Sequence, residues 1–402
     1  MILVLKKRMI FLSFAALAAV LSWGANCNQA VQKERKLFSS EKMNISIGRE
    51  PVVRLSRDQS DDSQPQILRA FILPGRAMNI FQLEAYLPGK GTIHMFRSPS
   101  LEAAKGKMNG GNQDFYGEQS YFAGGAILLP YANRIRGRFI PDENLIATSI
   151  LGKPVQLPAN GKGKAAGAEP CALHGLFLRD AMDTVTTTAD SEQASVTGTF
   201  NAGDFKGHWL SKTQLTVTAS LKKDSFVFTV TAKNVGHEAL PMGISWHPYF
   251  ELPSGNREQA RIYVPARKRL RVNNYDDVFP TGQVVPVQET AYDFLAPEGR
   301  SLGKLSLDDC FVDLLEPTSG QASALIIDPA AKYGVRVTAL SPEIQAIQIA
   351  APVNSAFIAL EPQFHWTDPF SAIWGKDATT GMVTLKPGEA VSYSVKLELF
   401  VP

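Results

Sequence analysis

Cysteine is scarce in this chain, with three in 402 residues, at Cys27, Cys171 and Cys310. Three thiols do not make a disulfide framework, and none pairs with another at zinc-ligand spacing. Charge of one sign is missing as well. The 41 Lys and Arg nearly balance 38 Asp and Glu, for a formal net charge of +3, so the composition carries no nucleic-acid footprint. His-x-His and His-x-x-x-His pairs are absent, which leaves no metal motif, and no Gly-x-Ser-x-Gly indicates a serine nucleophile. The run Gly161-Lys162-Gly163-Lys164 lacks the preceding strand and following Ser or Thr of a P-loop and is expected to be a solvated loop. Long apolar runs are equally rare. The longest, Met9 to Trp23, falls short of the ~18 to 20 residues that span a bilayer.

That run has a different meaning. Lys6, Lys7 and Arg8 precede it, and Gly24, Ala25, Asn26 and Cys27 follow. The order basic, apolar, small is that of an export signal over residues 1–26, which places the mature protein outside the cytoplasm, periplasmic or extracellular, with no transmembrane helix after processing. Cys27 is positioned as a lipid-bearing residue of a bacterial lipoprotein, although Asn26 replaces the usual small residue before it, and cleavage near Ala25 or Ala30 is the alternative. Export also permits a disulfide between Cys171 and Cys310, with two buried thiols as the other outcome.

A polar connector is expected over 27–45, and beyond it the apolar pattern is short, alternating and often interrupted, the signature of strands. Leu215, Val217, Ala219 and Leu221 alternate with polar residues, Lys222 to Ser225 turns, and Phe226, Phe228, Val230 and Ala232 alternate again. Val391, Tyr393, Val395, Leu397 and Leu399 repeat the pattern near the C-terminus. Further runs lie at 67–73, 80–87, 127–131, 260–264, 322–327 and 335–340, and no segment past the signal keeps a helical period for three turns. The expected fold is all-β, one large antiparallel β-sandwich over 46–402. Two Gly- and Lys-containing stretches, 101–125 and 151–170, read as long loops.

Polar groups interrupt the apolar strands at five places. Asn133 and Arg134 follow Leu128-Leu129-Pro130-Tyr131; His174 stands in Leu173-His174-Gly175; His247 stands in Trp246-His247-Pro248-Tyr249-Phe250; Asp308 and Asp309 precede Cys310; Glu361 stands in Leu360-Glu361-Pro362-Gln363. A strand devoted to packing has little use for His beside Pro. Taken singly, each is also what a satisfied structural residue at a strand end looks like. His365, four residues past Glu361, is a further candidate for the same pocket, whereas His94, His208 and His237 have no comparable context.

In this order and approximate spacing, Tyr131-Ala132-Asn133-Arg134-Ile135, Leu173-His174-Gly175, His247-Pro248-Tyr249-Phe250, Leu307-Asp308-Asp309 and Leu360-Glu361-Pro362-Gln363 resemble the aldose 1-epimerase (galactose mutarotase) family, from about Pro65 onward. The resemblance implies the large antiparallel sandwich called a supersandwich. It makes Glu361 the general base, His247 the general acid and His174 a second histidine on the ring-oxygen side. Arg134 and Asp308 become sugar-binding groups, with Asn133 a neighbouring pocket residue. Two departures, Leu176-Phe177 after the His-Gly pair and Asp309-Cys310 after Asp308, leave the hexose unspecified.

Opening a pyranose means removing the O1 proton while protonating O5. The expectation is therefore a base and an acid on opposite sides of one free hexose, with Trp246, Tyr249 or Phe250 against its C–H face and no cofactor. Three alternatives stay open. A hexose-6-phosphate 1-epimerase would need Arg136, Arg138 and Arg179 as phosphate cations. A noncatalytic carbohydrate-binding protein would need the sugar-binding groups alone. A glycoside hydrolase would use Glu361 and Asp308 as paired carboxylates.

Overall fold

The alternating runs pair as strands. Thr213–Lys222 and Phe226–Asn234 form an antiparallel hairpin whose buried side is Leu215, Val217, Ala219, Leu221, Phe226, Phe228, Val230 and Ala232. The Lys222 N–H donates to the Ser225 carbonyl at 2.9 Å and closes the turn. The computed structural model describes residues 37–315 and 321–402, so the export signal, Cys27 and the start of the connector lie outside the described residues.

Two antiparallel sheets, of twelve and nine strands, supply most of the strands. The hairpin and the C-terminal strand Ala390–Phe400 belong to the nine-stranded sheet. Their apolar faces meet Trp246, Phe250, Ile347, Ile349, Ile358 and Leu360 of the twelve-stranded sheet in one continuous core. Trp246 packs edge-on to Phe228, Phe96 and Phe250, with centroids 5.0, 5.7 and 5.9 Å away.

Three expectations about irregular segments change. The connector is in part a strand, because Phe38–Ile47 pairs with Glu50–Arg57 at an edge of the twelve-stranded sheet. Only its two ends, Phe38 and Ile47, are buried, so apolar alternation is faint. The 101–125 segment opens with a helix, Leu101–Lys107, capped by Ser100, whose hydroxyl accepts from the Ala103 N–H. Deeper in that segment, Arg76 reaches Asp114 through two hydrogen bonds of 2.9 and 2.6 Å, both side chains buried. The 151–170 segment contains the strand Lys153–Pro158, paired with Leu145–Ile150. In the run expected to be solvated, Gly161–Lys162 pairs with Pro170–Leu173. Gly161 packs so closely that a Cβ there would lie 2.7 Å from Leu173 Cβ. Most of these pairings are local hairpins between strands with little apolar alternation, so composition does not announce them.

Candidate active site

His247, Glu361 and Asp308 lie within a row of five neighbouring strands of the larger sheet, in the spatial order Gly125–Leu128, Ser245–Glu251, Phe357–Gln363, Ala346–Ala351 and Leu307–Leu314, whereas Asn133, Arg134 and His174 come from outside that sheet. Successive side chains of a strand point to opposite faces, so register decides which residues meet. His247 lies opposite Ala126, Tyr249 opposite Ala359, Glu361 opposite Gln348, and Asp308 opposite Ala350. These residues share the face turned away from the Trp246 core. Trp246 and Phe250 are core residues and do not offer a surface to a sugar; Tyr249 alone of the three aromatics stands beside His247. The period of two that makes the strand legible also separates them.

The ladder between the His247 and Glu361 strands is made at Ser245 with Gln363 and again from Tyr249 with Ala359. Between them lie Pro248 and Pro362, neither of which has an N–H to donate. At this interruption, His247 Nε2 approaches Glu361 Oε1 to 3.4 Å, with both side chains buried.

His174 arrives from a covering segment. Leu173 pairs with Arg134, and the His174 N–H donates to the Asn133 carbonyl at 2.9 Å. Asn160 brackets the preceding residue, donating to the Leu173 carbonyl at 2.9 Å and accepting its N–H at 2.7 Å. His174 and Gly175 both have positive φ, 59° and 84°. A Cβ on Gly175 would lie 2.2 Å from the Leu129 carbonyl oxygen, so the turn that delivers His174 requires glycine. The two imidazoles meet edge-on with centroids 4.8 Å apart. Tyr249 packs against His247 at 4.8 Å and Tyr121 against His174 at 4.9 Å, so the imidazole pair sits between two phenol rings.

Burial dominates the electrostatics. It raises the Glu361 carboxyl well above its ordinary value, Asp308 adds to the rise, and Arg134 opposes it. It drives His247 down to about 4, and the Arg134 charge pushes the same way. His174 falls well below the ordinary imidazole value through burial, then His247 and Arg134. Asp308 is raised by burial, with Arg134, Gln348 and Lys164 opposing. Each of these groups feels the Arg134 charge. Glu361 Oε2, His247 Nδ1 and His174 Nδ1 are buried without a hydrogen-bond partner among the described residues. Leaving a buried polar group unpaired costs about 1–3 kcal/mol, and sites that bind polar ligands concentrate such atoms.

The residues expected from sequence therefore gather, with corrections of placement. Glu361 and His247, expected on opposite sides of one sugar, stand side by side instead. Asn133, at φ 55°, commits its amide to Gln363 Oε1 at 3.1 Å. His365 does not line the site. Its Nε2 accepts from the Ala132 N–H at 2.9 Å, so Nδ1 carries the hydrogen and donates to the Trp366 carbonyl at 2.7 Å. Asp309 faces away from Asp308 and binds Arg269 at 2.6 Å and the Tyr275 hydroxyl. Cys171 and Cys310 are both free and buried. The three arginines weighed for phosphate do not converge: Arg136 stacks on Phe279 at 4.0 Å, Arg179 donates to the Phe115 carbonyl, and Arg138 is exposed.

Gln348 joins the site in addition to the residues expected from sequence. Its Nε2 donates to Asp308 Oδ1 at 2.7 Å. A signal existed, since Gln348 is the polar residue in the otherwise apolar Ala346-Ile347-Gln348-Ile349-Ala350. Tyr121, inside a segment read as a loop, gave no such signal. No group of three or more His, Cys, Asp or Glu side chains among the described residues is placed to hold a metal ion.

Comparison with known proteins agrees with this fold. A galactose mutarotase-like protein of Clostridium acetobutylicum has the same fold, with TM-score 0.68 at 18% identity over 91% of this chain and 99% of that one. A galactose 1-epimerase of Lactobacillus acidophilus NCFM gives 0.62 at 17% identity, again over 91% and 99%. Among curated proteins, a galactose mutarotase of Mus musculus is 29% identical over 184 residues, 45% of this chain and 47% of that protein. The chain thus spans about half the length of that curated relative. The family model described as aldose 1-epimerase matches residues 91–398, and on that match the chain belongs to the aldose 1-epimerase family.

Proposed function

We propose that the protein is an exported aldose 1-epimerase that interconverts the α and β anomers of a free hexose. The buried contact between Glu361 and His247 carries this reading. Glu361 takes the O1 proton as the C1–O1 bond becomes a carbonyl; the C1–O5 bond breaks, and O5 takes a proton from His247. Rotation about C1–C2 turns the aldehyde, and the same steps in reverse close the other anomer.

The pair holds one proton throughout. Before ring opening it is carboxylate and imidazolium; afterwards it is carboxylic acid and neutral imidazole. Burial opposes both charges, so the site favours the open-chain stage relative to water. Arg134 draws Glu361 back toward the carboxylate it needs as a base, and Asp308 opposes that effect. Glu361 Oε2, without a protein partner, is the oxygen offered to O1, while His247 works from Nε2, the nitrogen that faces Glu361. Arg134 and Asp308, partly exposed, are placed to bind hydroxyls by charge-assisted hydrogen bonds. His174 stands on the O5 side beside His247.

Anomer interconversion measured by polarimetry or NMR on glucose, galactose and glucose 6-phosphate tests the reading. The free hexoses are expected to equilibrate faster with the protein than in buffer. Equal rates with and without protein would sink the proposal, and acceleration confined to the phosphate would transfer it to the phosphosugar enzyme. Export rests on residues 1–26; cell fractionation that recovers unprocessed protein only in the cytoplasm would overturn it.

A further inference from the structure

Three residue pairings line up as one row across four strands of the larger sheet. Tyr249 lies opposite Ala359, Ala359 opposite Ala350, and Ala350 opposite Asp308. At ~4.8 Å between strands, the row sets the Tyr249 and Asp308 backbones roughly 14 Å apart, and the two side chains between them end at a methyl group. Nothing in the row stands between the phenol and the carboxyl, and Ala350 is partly exposed. The adjoining row holds Glu361 opposite Gln348, with His247 beside Glu361.

The Tyr249 ring is fixed. Its N–H donates to the Gly124 carbonyl at 3.0 Å, and its carbonyl accepts from the Arg97 N–H at 2.8 Å. His247 crosses the ring at 4.8 Å and Phe357 at 5.1 Å, with interplanar angles of 65° and 83°, and the Arg97 guanidinium caps Phe357 at 5.0 Å. A phenylalanine would make the same ring contacts, so packing accounts for the ring and leaves the hydroxyl unexplained. The surroundings of that hydroxyl are those of the reaction site. Burial, then Glu361, Asp308 and Tyr121, hold the phenol well above its ordinary value, with Arg97 opposing. A phenol so placed keeps its hydrogen at working pH and serves as a donor.

We propose that Tyr249 determines which sugars the site accepts, by donating its hydroxyl hydrogen to one non-anomeric hydroxyl of a substrate seated against Ala350, between Tyr249 and Asp308. Tyr249 then acts through its oxygen as well as through its ring. The proposal rests on the anomer-interconverting reading of the site, and it follows the general rule that a site built to hydrogen-bond a substrate hydroxyl rejects analogues that lack it.

The test measures anomer interconversion of glucose or galactose, whichever the protein accelerates more, and of the 2-, 3-, 4- and 6-deoxy derivatives of that hexose, by the wild type and by Tyr249→Phe. The substitution should raise KM for the parent hexose about tenfold, about 1.4 kcal/mol, and change kcat less than threefold. For one deoxy sugar the KM should agree between the two proteins within twofold, because the partner of the phenol is already missing, while the other three shift as the parent does. A parent KM unchanged by Tyr249→Phe, a shift common to all five sugars, or a fall in kcat with KM unchanged would overturn the assignment. If the wild type accelerates neither hexose, the proposed function falls, and calorimetry with the methyl β-glycosides of both hexoses and of their deoxy derivatives reads the contact instead. The same single-position insensitivity upholds Tyr249; binding that Tyr249→Phe leaves unchanged, or no binding, overturns it.

Discussion

Glu361 and His247 show at the residue scale how burial decides protonation. Each was visible in sequence as a polar group in an apolar strand, and the family resemblance gave it a role. The 3.4 Å contact was not visible, because it arises where Pro248 and Pro362 interrupt one inter-strand ladder. The shifts set the pH dependence. As pH falls through about 4, His247 acquires a second proton for the pair, leaving Glu361 protonated and unable to act as base. As pH rises through the raised Glu361 value, the shared proton is lost and His247 has none to give. Catalytic efficiency, measured as kcat/KM across pH, is expected to fall below about 4 and to fall again once pH passes the raised Glu361 value, with a level stretch between. A single limb near the ordinary imidazole value of ~6.5 would contradict the shared-proton scheme.

At the scale of elements, the site depends on how strands and covering segments are tied together. The amide chain Asn133, Gln363 and the His365 carbonyl joins the 131–135 segment to the end of the Glu361 strand, and Gln348 orients Asp308. Asn133 and Gln363 lie inside the motifs that carried the resemblance, yet their partners could not be read from spacing. Gln348→Met keeps the volume and removes the donor to Asp308. Loss of one such hydrogen bond is worth about 1–2 kcal/mol, so KM should rise about tenfold, with kcat changing less than threefold. A fall in kcat with KM unchanged would place Gln348 in the proton-transfer step.

His365 yields a second prediction at this scale. Both its nitrogens are hydrogen-bonded, and burial lowers its pKa to about 4, against the ordinary ~6.5 of an unfolded chain. Between these values the unfolded chain binds the extra proton and the folded chain does not, so this group's contribution is complete above ~6.5 and declines as pH falls toward 4. His365→Gln is expected to be less stable than wild type at pH 7. The gap should narrow by ~1.4 kcal/mol per pH unit between those limits, as read by urea unfolding. A gap independent of pH would show that His365 is not held neutral.

Across the whole molecule, the sandwich explains why the site lies on the outer face of the larger sheet. Apolar alternation is strong enough in sequence to identify three long neighbouring strands of the nine-stranded sheet, Thr213–Lys222, Phe226–Asn234 and Ala390–Phe400, with their buried sides, because burial of one face imposes a period of two. Strand neighbours were not legible. The strand Gly125–Leu128 meets Ser245–Glu251, which meets Phe357–Gln363, and no local pattern specifies pairings over such separations. The edge strand Phe38–Ile47 and the packed Gly161–Lys162 pair differ from expectation for another reason: one buries only its two ends and the other is two residues long, so neither has an apolar alternation to read. What this topology accomplishes is to set one buried carboxyl group against one buried imidazole. The most direct test is the rate of anomer interconversion by Glu361→Gln, which keeps the shape of the side chain and removes the base. The account predicts a loss of kcat of roughly 10² to 10⁴-fold with KM nearly unchanged and the fold intact by circular dichroism; a folded variant with wild-type kcat would contradict it.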